Sequence, residues 1–139
     1  MSRSDYCYDL DNWDMIKWRG QVASAIRGQR GQKLLRDMLL ALDALPEKTL
    51  VAEELRTEQG EVCALGALGL MRGIDMERLD PEDPDRVAGA FDVAPQLVRE
   101  IAHLNDDYSN ETPEARFARM RRWVESQIKP ATGSPLAAS

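Results

Sequence analysis

Histidine is nearly absent from this chain, His103 being the only one in 139 residues. A His-rich metal centre or a His pair is thereby excluded. Cysteine is almost as scarce. Cys7 and Cys63 are too few and too far apart for a disulfide framework or a structural zinc site, and both are expected as free thiols. No apolar run approaches the roughly 18 residues of a membrane span. The opening Met-Ser-Arg-Ser-Asp-Tyr-Cys-Tyr-Asp also lacks the apolar core of a signal peptide. The cytoplasm is the expected compartment.

Acid is missing locally. From Met15 to Arg36 the chain carries Lys17, Arg19, Arg27, Arg30, Lys33 and Arg36 and no Asp or Glu. The formal net charge is −6, so the rest of the chain sums to −12. Such a balance opposes nucleic-acid binding through the whole surface but leaves a local basic patch free to bind an anion. Inside the window lies Arg27-Gly28-Gln29-Arg30-Gly31-Gln32. A helix starting near Gly31 would aim free N–H groups and its positive dipole end outward. Arg30 and Lys33 are then unfavourably placed by about 0.3–1 kcal/mol each, unless an anion docks there. The candidate anion- or partner-binding residues are therefore Arg27, Gly28, Arg30, Gly31 and Lys33. The competing reading is an internal clamp, in which the acidic loop Asp80, Glu82, Asp83 and Asp85 folds over the patch. That loop is also a candidate contact surface. The Gly-x4-Gly-Lys-Ser/Thr spacing of a P-loop is absent.

Apolar spacing makes the chain mainly α. Asp9 or Asp11 can cap a first helix to about Arg27, with Met15, Trp18, Val22 and Ile26 as its stripe and Gly28 as a left-handed stop. A second helix carries Leu34 or Leu35, Met38, Leu42 and Leu45 and ends at Pro46. The two form an antiparallel hairpin with Gly28 to Gly31 at its apex, or one bent helix. Between Thr49 and Ala67 either a small hairpin turning at Gly60 or a third helix over Val51 to Thr57 is compatible with the pattern. Ala64 to Met71 reads as a short buried helix, with Gly66 and Gly69 admitting close neighbours and Gly73 stopping it. Asp83-Pro84 and Thr112-Pro113 are helix starts. Val87, Ala88 and Phe91 mark one short helix and Leu97, Val98, Ile101 and Leu104 the next. Phe117, Met120, Val124 and Ile128 form one face of the last helix. The expected architecture is a compact bundle of five or six helices over residues 1–129, with at most a small β-hairpin, and a disordered tail over 130–139.

Three further constellations have a functional and a plain reading. Ala88, Asp92, Val93, Val98 and Ile101 imitate a helix-turn-helix whose second helix would offer Gln96, Arg99 and Glu100 to base edges. The acidic surroundings oppose this, and helix pairs with that pattern are common in bundles. His103 could act as a base oriented by Asp106 or Asp107 with Cys63 or a serine as nucleophile. No local signature supports those partners, and a lone histidine packed at a helix edge before a helix-ending Asn-Asp-Asp is far the commoner arrangement. Arg116, Arg119, Arg121 and Arg122 read as a solvated face, and Trp13 as a surface anchor or a core residue. No catalytic residue, metal site or cofactor is assigned.

Leu55-Arg56-Thr57 with Gly60-Glu61-Val62-Cys63-Ala64-Leu65-Gly66, the later Leu104-Asn105-Asp106, and Ala25 to Gln32 together resemble small uncharacterised proteins of proteobacteria and their phages. The resemblance implies a mobile-element origin and carries no activity. The expected function is a non-enzymatic binding protein of phage or prophage type that occupies a surface of a host protein or nucleoprotein complex, a counter-defence inhibitor being one form. A DNA-binding regulator using residues 84–104, and a nucleotide or small-anion binder at the Arg27–Gly31 apex, are the alternatives.

Overall fold

Six residues of one helix, Ala64 to Gly69, are buried in succession, and the rest of the fold is arranged around them. A helix apolar on every side belongs inside. The computed structural model describes residues 12–108 and 110–130. Within them lie α1 (Asn12–Arg27), α2 (Gln29–Ala44), α3 (Ala64–Arg72), a 3-10 turn (Met76–Arg78), α4 (Pro84–Phe91), α5 (Pro95–Asp106) and α6 (Pro113–Gln127). The mainly α expectation holds. The proposed caps Asp9 and Asp11, Cys7 and the tail from residue 131 lie outside the described residues.

Small residues let α3 sit this deep. A Cβ on Gly66 would collide with the carbonyl of Leu55, and one on Gly69 with the side chain of Met76. Cys63 caps the helix, its Sγ accepting from the Gly66 N–H at 3.3 Å. Gly73, at φ +70, ends it in the left-handed region. Helix α2 packs across α3 and α6 through Leu34, Leu35, Met38, Ala41 and Leu42, while α5 packs on α1, α3 and α4.

The stretch before α3 is neither a third helix nor a ladder. One antiparallel bridge, Arg56 to Val62, closes a turn with Gly60 at φ +87. The helix alternative over Val51 to Thr57 fails because distant groups claim that backbone. Asn105 donates through Nδ2 to the Val51 carbonyl at 2.9 Å, and Asp106 Oδ1 accepts from the Glu53 N–H at 2.9 Å. Asn105 Oδ1 also accepts from the Ala64 N–H at 3.1 Å. The Cys63-Ala64 and Leu104-Asn105-Asp106 segments thus meet as one buried joint of the fold.

The arginines of α6 are not a solvated face. Arg116 is buried, and its Nε donates to the Asn105 carbonyl at 2.8 Å. Arg119 donates to both carboxylate oxygens of Glu111, at 2.8 and 2.7 Å, and to the Leu104 carbonyl at 2.6 Å. Together they satisfy the orphan carbonyls at the end of α5. Arg121 grips Asp43 at 2.7 and 3.1 Å, joining α6 to the end of α2. Arg122 alone among the four stays on the exposed side.

Candidate anion-binding cleft

A single residue, Gly28, separates α1 from α2. It sits at φ −69, ψ 164, so the left-handed stop expected there is not made; extended backbone turns the corner instead. Helix α2 begins at Gln29 rather than near Gly31, with no side-chain cap on its first N–H groups. Gly31 serves packing, because a Cβ there would collide with the Ala25 carbonyl. Its smallness lets α1 and α2 meet at the corner.

The corner is locked by Gln32, a buried amide that the apolar-stripe reading passed over. Its Nε2 donates to the Ile26 carbonyl at 2.8 Å and to the Gln127 carbonyl at 3.0 Å. Its Oε1 accepts from the Lys129 N–H at 2.8 Å. One side chain therefore ties α1, α2 and the segment following α6, and brings Lys129 to the basic window from 97 positions away. Lys129 Nζ then donates to the Arg27 carbonyl at 2.7 Å.

What results is a cleft of about 470 Å³ lined by Arg27, Gln29, Gln32, Lys33, Arg36, Lys129 and Pro130. Among the described residues four cations line it and no acid does. Lys33 has an exposed pair to Asp37 at 3.2 Å, and Asp37 is drawn also to Arg72 at 2.8 Å. Partial burial pushes the Asp37 carboxyl upward, but hydrogen bonds from Arg72 and Lys33 outweigh it and hold its pKa below the usual value. Asp37 is thereby shared between Lys33 and Arg72.

The sequence-derived site splits. Arg27 and Lys33 line the cleft, joined by Arg36 and Lys129. Arg30, Gly28 and Gly31 line the neighbouring concavity with Ala94 and Gln96, where Arg30 meets Asp92 at 3.4 Å with both side chains largely exposed. The internal clamp is not formed. Asp80 accepts from the Glu82 N–H, and Asp83 caps α4 through the Arg86 N–H and pairs with Arg86 at 3.9 Å. Glu82 and Asp85 are exposed. The acidic loop is held by its own turns.

The turn and apolar positions of the helix-turn-helix pattern are filled, but the second helix is covered. Asp92 takes the left-handed turn at φ 57, and Ala88, Val93, Val98 and Ile101 are buried. Yet Gln96 faces the Gly28–Gln29 corner, Arg99 lies 5.8 Å over the Trp18 ring, and Glu100 lines a groove with Trp18 and Val22. Helix α1 occupies the face that would have read bases. Of the residues in the Cys–His reading, Cys63 is fully buried as a helix cap and Asp106 holds the Glu53 backbone. Among the described residues no cluster of His, Cys, Asp and Glu is placed to hold a metal ion, and no helix is long and apolar enough to cross a membrane.

No protein family, curated protein or solved structure matches this chain.

Proposed function

We propose that this chain is a non-enzymatic binding protein, of the type carried by phages and prophages, that acts in the cytoplasm by occupying an anionic surface of a host macromolecular complex. The observation that carries this reading is the cleft of Arg27, Lys33, Arg36 and Lys129, with no acid among the described residues of its lining, on a chain of net charge −6. Cations gathered against the overall charge repel one another in the free protein and gain from an anion that docks. The uncapped first turn of α2 beside them adds a positive dipole end. Inhibition of the complex follows if the occupied surface is its working one.

The test is affinity capture from host lysate with the wild type and an Arg27→Glu, Arg36→Glu variant, with mass spectrometry of bound protein and extracted nucleotides. Capture of a defined complex by the wild type, lost in the folded variant, is the expected result. Capture that survives charge reversal, or recovery of nucleotides alone, overturns it.

A further inference from the structure

Arg27 is the shared wall of two concavities. On one side is the basic cleft. On the other is a groove of about 230 Å³ between α1 and α5, with Trp18, Val22 and Ile26 as apolar wall and Arg19, Glu100 and Gln127 as its polar lining. A basic surface and an apolar slot thus run continuously through one arginine. Helix α1 supplies the slot, and the Gln32 bracket places the cations beside it.

We propose that the two concavities form one recognition site for an acidic peptide segment of a partner protein, carrying an apolar side chain next to its carboxylates. This rests on the reading of the cleft as a surface for an anionic macromolecule and names that partner's chemistry. The carboxylates lie against Lys33, Arg36 and Lys129, and the apolar side chain enters between Trp18, Val22 and Ile26. Arg27 spans the junction.

Two observations select a peptide over a nucleic acid. Stacking a base needs a free aromatic face, and among the described residues no aromatic lines the basic cleft. The Trp18 ring is already under the Arg99 guanidinium at 5.8 Å. Charge then sets direction: in the slot Arg19 is offset by Glu100, whereas the described lining of the cleft carries four cations and no acid, so acids belong at the Lys129 end and the apolar group at the Trp18 end. Exposed ion pairs add little affinity but steer and orient the encounter, whereas the buried anchor supplies most of the affinity.

The experiment titrates the intact chain with fluorescein-labelled Asp/Glu-rich peptides, with and without one Leu or Phe beside the acids, and with an oligothymidylate of similar charge. Anisotropy gives the affinity, and the Trp18 indole N–H resonance reports the slot. The expected result is binding of the anchored peptides, weaker by about tenfold or more without the anchor, the factor that burial of one apolar side chain is worth. The indole resonance moves only with the anchor present, and Ala23→Phe, which fills the slot, removes the preference for it. Equal binding with and without the anchor overturns the inference and leaves the basic cleft standing. Tighter binding of the oligothymidylate through Arg27 and Arg36 overturns it in favour of nucleic acid. If no probe binds and charge reversal also leaves lysate capture unchanged, both readings fall.

Discussion

Lys129 Nζ donates to the carbonyl oxygen of Arg27 at 2.7 Å, so a residue beyond the last helix closes on the end of the first. The cleft is therefore a product of tertiary structure, assembled from both ends of the chain by Gln32. Its supports and its exposed cations should respond differently to mutation.

Gln32→Leu keeps volume and removes three hydrogen bonds, leaving the Ile26 and Gln127 carbonyls and the Lys129 N–H without their partner. Unsatisfied buried polar groups cost about 1–3 kcal/mol, and each kcal/mol moves the midpoint by about 3–5 °C in a domain of this size. Calorimetry should show a clear fall in Tm. Arg36→Ala, at an exposed position with no ion pair among the described residues, should leave Tm unchanged and weaken binding. An unchanged Tm for Gln32→Leu would remove the bracket from the account.

Gly28 and Gly31 look alike in the sequence and differ in the structure. Gly31→Ala forces a Cβ on to the Ala25 backbone and should destabilise by about 1–3 kcal/mol, as overpacking does. Gly28→Ala meets only ordinary contacts at 3.6 and 3.7 Å with φ −69, so it should be neutral or stabilise by about 0.4–1 kcal/mol through the unfolded chain. Paired thermal melts decide this, and equal effects would contradict the corner geometry.

Glu111 and Glu100 should show opposite pH dependence. Hydrogen bonding to Arg119 holds the Glu111 carboxyl below its usual pKa, so the unfolded chain binds the extra proton. The resulting stability is present above the ordinary glutamate value and lost as pH falls through the depressed one. Glu111→Gln should flatten that acid limb in urea titrations. Burial pushes the Glu100 pKa up, with His103 and Arg19 offsetting part of the rise. Its favourable contribution exists below the ordinary value and disappears as pH rises through the raised one. Glu100→Gln should therefore raise Tm at neutral pH and lose that advantage in acid.

Much of the architecture was legible from local rules. Asp83-Pro84 and Thr112-Pro113 start helices as their chemistry dictates, and the glycines of α3 announce a buried helix. The basic window also pointed to Arg27 and Lys33. What sequence spacing could not show is pairing across distance. Lys129 joins Arg27, Arg119 turns to Glu111 and the end of α5, and Asp92 rather than the acidic loop meets Arg30. A charge pattern along one helix is blind to such partners. One signal was present for Gln32: an amide three positions before Leu35, on the stripe that continues through Met38 and Leu42, needs partners if buried.

Arg119→Ala should be among the most damaging single changes on α6. It strips Glu111 of a two-pronged partner and uncovers the Leu104 carbonyl. Glu111 is left largely buried beside Arg116 at 3.6 Å. A loss of about 2–4 kcal/mol in urea unfolding is expected for a charge so deprived. A loss within about 0.5 kcal/mol, the range of ordinary surface substitutions, would show that water replaces the guanidinium.

Val22 is the only buried side chain among the described residues of α1, whereas α2 contributes Leu34, Leu35, Met38, Ala41 and Leu42 to the core. The two helices are nearly continuous in sequence yet differ sharply in what they bury, so α1 should open on its own. Amides of α1 should exchange with solvent deuterium through a low-energy opening that leaves those of α2 and α3 protected. The slot beside Trp18 would then be formed only for the fraction of time that α1 is closed, and a ligand bound there would slow exchange along α1 first.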